Sequence, residues 1–223
     1  MKLGRNHEAL NAFREALRIN TKLKDTSMLL ALHLDLGEVY EALGNLEEAE
    51  SVLRKGLTLA ERLGSEEMAC NMKMVLGGVL LGRASYREAR EAFDRAVATV
   101  EEEEGQAERV ALCRLGAGVA ALLEGEADAA AGHFSEALRV ATDGNLVRMQ
   151  LAALFNICVC SRRRHSYEDV VYYALAARGF ADRLDRNDVV LHIDGLLEEV
   201  RVKVGNDLYD VYLSSAREKL EGE

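Results

Sequence analysis

The side chains that could carry chemistry are few and scattered. Five histidines stand at His7, His33, His133, His165 and His192, without an H-E-x-x-H pairing and without cysteines at ligand spacing beside them. Neither a zinc-protease helix nor a structural zinc site is encoded. Cys70, Cys113, Cys158 and Cys160 make no disulfide framework. On a helix the Cys158/Cys160 pair would splay by about 200°, too far to share a metal easily. These thiols read as small buried residues. Gly77-Gly78 and Gly116-Ala117-Gly118 fall inside helical patterns, whereas phosphate-cradling glycines occupy a loop between strand and helix. The run Glu101-Glu102-Glu103-Glu104 lacks the alternating ligands and central glycine of a calcium loop and reads as a solvated helix end. No nucleophile stands with a base and no ligand set converges. The expectation is a non-catalytic protein with no metal and no cofactor.

What remains is a surface, and composition restricts its partners. Lys plus Arg number 28 against 38 Asp plus Glu, a net charge of −10, which is the wrong field for neutralising phosphates and argues against nucleic acid. At 49% hydrophobic residues the chain is too apolar to be disordered. No stretch approaches the ~18 apolar residues that a bilayer crossing needs, so no membrane partner is expected. Met1 precedes a charged amphipathic segment rather than a signal-peptide core, and a cytoplasmic location is expected. With no proline and much Ala, Leu and Glu, helix is favoured nearly everywhere.

The elements that must present this surface repeat. Gly37, Gly77, Gly118 and Cys158 are spaced by 40, 41 and 40 residues. The same register carries Ala49, Ala89 and Ala130, then Leu53, Phe93 and Phe134, then Gly56, Ala96 and Ala137; Ala9, Phe13 and Ala16 continue it backward. Each unit divides into two amphipathic helices. Small residues at the Gly37 position let the first helix cross the second closely. Leu53, Phe93 and Phe134 are expected to fill the space between one unit and the next. Asn45-x-x-Glu48, Ser85-x-x-Glu88 and Ser166-x-x-Asp169 have the form of capping boxes opening the second helix.

These residues resemble the tetratricopeptide repeat, strongly over 26–143 and more loosely outside. The 40-residue period and the run Leu36-Gly37-Glu38-Val39-Tyr40-Glu41-Ala42-Leu43-Gly44-Asn45 are similar to the long repeats of LGN/Pins-type scaffolds and kinesin light chains. The Trp and Pro of the common 34-residue pattern are absent. The resemblance implies an all-α, right-handed solenoid of antiparallel helix pairs. Its expected parts are a half repeat at 1–21, repeats at 26–63, 66–103, 106–142 and 146–184, and C-terminal capping helices at 187–221, with Gly195 as the crossing residue of the last pair. The opening helix lacks its pair in this register, which reads as a longer array or an end covered by another chain.

The resemblance also implies a concave groove lined by first helices and holding a peptide or helix of a partner protein. Its positions here are Leu34, Asp35, Glu38 and Glu41; Asn71, Met74, Val75 and Gly78; Leu115, Gly116, Val119 and Leu122; and Phe155, Asn156, Val159, Arg162 and Arg163. Gly78, Gly82 and Gly116 weaken their helices, either to admit a partner backbone or to pack closely. Asn71 and Asn156 could bond a bound backbone. The groove reads as acidic at Asp35, Glu38 and Glu41 and basic at Arg162, Arg163 and Arg164, which would orient a bipolar partner. Leu34 and Glu38 stand where a carboxylate clamp wants Lys and Asn, so binding of chaperone tails is disfavoured. The leading expectation is a scaffold or adaptor for a linear segment. The alternative is a structural subunit of a cytoskeletal, ciliary or multi-subunit assembly, joined through its ends and convex face.

Overall fold

A computed structural model describes residues 2–100 and 105–222, so the Glu101 to Glu104 run lies outside the described residues, as does the side chain of His7. Among the described residues every regular element is an α-helix: α1 (Lys2–Leu23), α2 (Thr26–Ala42), α3 (Leu46–Leu63), α4 (Glu66–Gly82), α5 (Tyr86–Val100), α6 (Ala107–Glu124), α7 (Ala127–Asp143), α8 (Val147–Arg163), α9 (Tyr167–Arg183), α10 (Asn187–Val204) and α11 (Asn206–Glu221). The helices form two compact units, Met1–Gln106 and Ala107–Glu223. Within each unit, consecutive helices pack side by side across short turns, giving antiparallel neighbours.

The joint inside each pair is a glycine pressed against a large side chain. A Cβ at Gly77 would stand 2.7 Å from the Phe93 ring, one at Gly118 2.5 Å from the Phe134 ring, and one at Gly37 would collide with Leu53. Any larger residue would force the helices apart. Leu53, Phe93 and Phe134 therefore fill the crossing within a pair, which corrects the expectation that they sit between units. At Cys158 the same position holds a thiol whose Sγ reaches the Val170 carbonyl at 3.6 Å. All four cysteines are buried, and burial pushes the Cys158 thiol up to about 12, which leaves it a packing group rather than a nucleophile.

The turns are closed by backbone rather than by capping boxes. Asn45 and Ser166 make no side-chain cap bond. Instead the amides of Asn45, Ser85, Glu126 and Ser166 donate to the carbonyls of Tyr40, Leu80, Ala121 and Ser161, the Schellman pattern. It requires a left-handed residue just before, and Gly44, Ala84, Gly125 and His165 all have positive φ. With its last carbonyls bonded, the first helix stops and the chain reverses. Asp25 does cap by side chain, accepting from the Met28 amide at 3.0 Å.

The last pair differs. A Cβ on Gly195 would meet nothing within 4 Å, so Gly195 is no crossing residue. Ile193, Leu196, Leu197 and Val200 bury α10 instead. Helix α11 lies mainly on α9, where Lys219 Nζ pairs with Glu168 at 3.1 Å.

Candidate binding surfaces

In the first unit the structure brings the α2 and α4 positions onto one face. Leu34, Asp35, Glu41, Asn71, Met74, Val75 and Gly78 are half-buried and Glu38 is exposed. This mixture of apolar groups and carboxylates is neither core nor ordinary solvated helix. Glu41 reaches from α2 to α4: its Oε1 lies 2.8 Å from the place of a Gly78 Cβ. The space over Gly78 is thus taken by a movable side chain of the protein itself. Gly82 accommodates Leu46 in the same way, at 3.0 Å. Burial pushes Asp35 above the usual carboxylate range. Glu38 and Glu41 rise through burial first, then through the charges of Asp35 and Glu38 respectively. None of the three meets a cation among the described residues, and the Asn71 carboxamide makes no hydrogen bond there.

The second unit is different in charge. Leu115, Val119 and Val159 are half-buried against the cluster of Ala121, Leu122, Ala130, Phe134 and Ile157. Leu122 is only 8% exposed and belongs to that core, so it does not line a groove. Phe155 packs on the α9–α10 core, its ring 5.4 Å from that of His192, so its truncation would loosen the fold as well as any surface. Asn156 Nδ2 donates to the Ala152 carbonyl of its own helix at 2.8 Å. The arginines are occupied: Arg162 pairs with Glu199 at 3.0 Å, Arg163 donates to the Leu122 carbonyl at 2.6 Å, and Arg164 pairs with Asp128 at 3.3 Å. The expected basic end is internally satisfied, which corrects the picture of a groove charged at both ends.

Sequence reasoning missed a second kind of surface, the troughs between alternate second helices. In the first unit α3 and α5 stand apart over α4, leaving a cavity of about 500 Å³ lined by Glu61, Glu66, Lys73, Thr99 and small residues. In the second unit α7 and α9 stand apart over α8 around about 530 Å³. The two are equivalent in register. A shift of 81 residues takes Glu61 to Thr142, Ala69 to Gln150, Lys73 to Leu154, Ala98 to Gly179 and Thr99 to Phe180. The repeat period was therefore a usable signal. The first trough is bridged by Arg54–Glu88 at 2.9 Å, Arg95–Glu61 at 3.5 Å and Lys73 donating to Thr99 at 3.1 Å. The second has Ser135 and Asp169, Ala176 and Thr142, and Leu154 and Phe180 at those places.

Among the described residues there is no group of three or more His, Cys, Asp or Glu side chains able to hold a metal, and no helix long and apolar enough to cross a membrane. The sequence matches tetratricopeptide-repeat profiles over residues 1–62 and 75–145, together more than half of its length. The chain belongs to the tetratricopeptide-repeat family. No curated protein sequence matches it. Among solved structures it is similar to BtubC (BKLC) from P. vanneervenii, at TM-score 0.74 and 16% identity, over 99% of this chain and 91% of that one. It is similar to the nearly identical repeats of a putative kinesin light chain from Podosopora anserina, at TM-score 0.69 and 16% identity, over 82% and 90%. A Rap protein complexed with Competence and Sporulation Factor matches at TM-score 0.65 and 14% identity, over 99% and 72%. At such identities the likeness is one of fold.

Proposed function

We propose that the chain is a non-catalytic protein-interaction scaffold whose first-helix faces hold a linear or helical segment of a partner protein. The observation that carries this reading is the α2–α4 face. There, Asp35, Glu38 and Glu41 share a face with Leu34, Met74 and Val75 without a cation among the described residues; burial disfavours the ionised form of each, and a neighbouring carboxylate adds to this at Glu38 and Glu41. A segment carrying Lys or Arg between apolar residues would relieve the repulsion and cover the apolar groups in one step. Membership of the repeat family supports the same reading. Asn71 would add a hydrogen bond to the segment's backbone. In the second unit Leu115, Val119, Phe155 and Val159 offer apolar contact with little free charge.

The test is selection of random 12-residue peptides on the purified protein, followed by affinity measurement on Glu38→Lys and Glu41→Lys. Both changes lie on a half-solvated face and leave the core alone. Basic, apolar peptides that lose affinity on both variants are the expected result. Peptides without basic bias, or binding unchanged by charge reversal, would sink the proposal.

One observation favours a second reading, a structural subunit held in a larger assembly. Leu191 and Val202 of α10 are 75% and 76% exposed, and Leu208 and Val211 of α11 are also exposed. Assembly abolished by Val202→Asp with Val211→Asp, and unaffected by Glu38→Lys, would select this reading over the first.

A further inference from the structure

The trough between α7 and α9 has the volume of the one between α3 and α5, and none of the polar bridges that occupy the latter. Its walls are apolar: Leu138 of α7, Leu154 of α8, and Tyr172 and Phe180 of α9. Helix α11 closes one side with Leu220, latched by the Lys219–Glu168 pair. At about 530 Å³ it falls within the roughly 300–1,000 Å³ of small-molecule sites, which combine apolar walls with a few placed polar groups.

Two polar groups are placed here. Gln150, 6% exposed, donates its Nε2 to the Ala141 carbonyl at 3.2 Å, while its carboxamide oxygen has no partner among the described residues. Arg183 lies over the Phe180 ring, its Cζ 4.1 Å from the ring centroid, and no carboxylate pairs with it among the described residues. A guanidinium held by a ring at the rim of an apolar cavity is preorganised for an anion. Gly179 adds to this. Unlike Gly77 and Gly118, nothing in the protein's packing demands it, since a Cβ there would meet nothing within 4 Å, and it faces the cavity and enlarges it.

We propose that this trough is a binding site for a small aromatic anion. The flat apolar body lies between Leu138, Leu154 and Phe180, its carboxylate or sulfonate pairs with Arg183, and a hydrogen-bond donor on it reaches the Gln150 oxygen. The site is separate from the first-helix faces, so its test is independent of the scaffold proposal.

The probe is 8-anilinonaphthalene-1-sulfonate, which has an aromatic body, an N–H and a sulfonate, titrated into the folded full chain with fluorescence and calorimetric readout. Its uncharged relative N-phenyl-1-naphthylamine is the control. One saturable site is expected. Gly179→Leu should abolish it while helix content and melting temperature are kept, because the added side chain enters open space; Thr142→Leu, narrowing the trough from α7, serves if the first variant misfolds. Arg183→Gln should weaken the sulfonate probe about tenfold, the loss of one charge-assisted contact, and leave the uncharged probe unchanged. Failure of the probe to saturate one site, indifference to both narrowing variants, or equal loss of both probes on Arg183→Gln would each overturn the proposal.

Discussion

The troughs over α4 and α8 are one architectural position built twice, with nearly equal volumes and opposite chemistry. Over α4, Arg54, Glu88, Glu61, Arg95, Lys73 and Thr99 pair across the gap. Over α8, the same positions carry Ser135, Asp169, Thr142, Ala176, Leu154 and Phe180, which cannot pair in that way. Repeat architecture fixes where cavities arise, because second helices diverge over the first helix between them. Side chains facing each other across the gap then decide whether the cavity is spanned by polar pairs or left with apolar walls. The candidate partner face shows the same contrast: carboxylates on α2 lack cations among the described residues, while arginines at the end of α8 have found acceptors.

The contrast can be broken at several strengths. Phe134→Ala should cost about 3–5 kcal/mol, since the ring is fully buried against Gly118 and the crossing cannot collapse around the hole. Phe93→Ala should act alike in the first unit. Hydrogen exchange that loosens α6 and α7 on Phe134→Ala, with α2 to α4 still protected, would show that each unit depends on its own joint. Next, Phe180→Thr should cost about 1–2 kcal/mol through lost apolar burial, whereas the reciprocal Thr99→Phe should stay within about 0.5 kcal/mol. Equal losses in urea melts would deny that the two troughs differ.

Smaller again is Glu41→Gln. Burial and the Glu38 charge raise the Glu41 carboxyl, so the folded state holds its ionised form less readily than the unfolded state does. Removing the charge should stabilise the fold at neutral pH, by under about 1 kcal/mol once solvent screening is counted. The advantage should fade as pH falls through the raised value of the folded state toward the ordinary glutamate value, and vanish below it, where both states are neutral. Destabilisation at pH 7 would mean that Glu41 has a cation after all. The smallest effect belongs to Arg54–Glu88, for which a double-mutant cycle should give about 0.5 kcal/mol and less at high salt.

Much of the fold is legible in the sequence because its determinants recur at a fixed interval. Gly37, Gly77 and Gly118 announce close crossings, and each has its large partner 16 residues on, at Leu53, Phe93 and Phe134. The space those partners fill is not legible, since a period gives spacing along the chain and not the direction of a side chain. The capping boxes mislead for a related reason: Asn45 and Ser166 have the right identity, but the Schellman turn preceding them already positions the chain by backbone bonds. At the candidate face the α2 and α4 positions come together half-buried, apart from the exposed Glu38. Leu122 falls into the core, because its side of α6 turns toward α7 and α8.

The amino-acid sequence by itself determined an all-α chain of tetratricopeptide repeats and the positions of its crossings, since helix periodicity and side-chain size are local properties. The tertiary structure alone decided which charges are satisfied and which cavities are spanned by polar pairs. Arg54 meets Glu88 and Arg162 meets Glu199 across 34 and 37 residues, and at that separation the pairing depends on how neighbouring helices are stacked, not on any pattern within one of them.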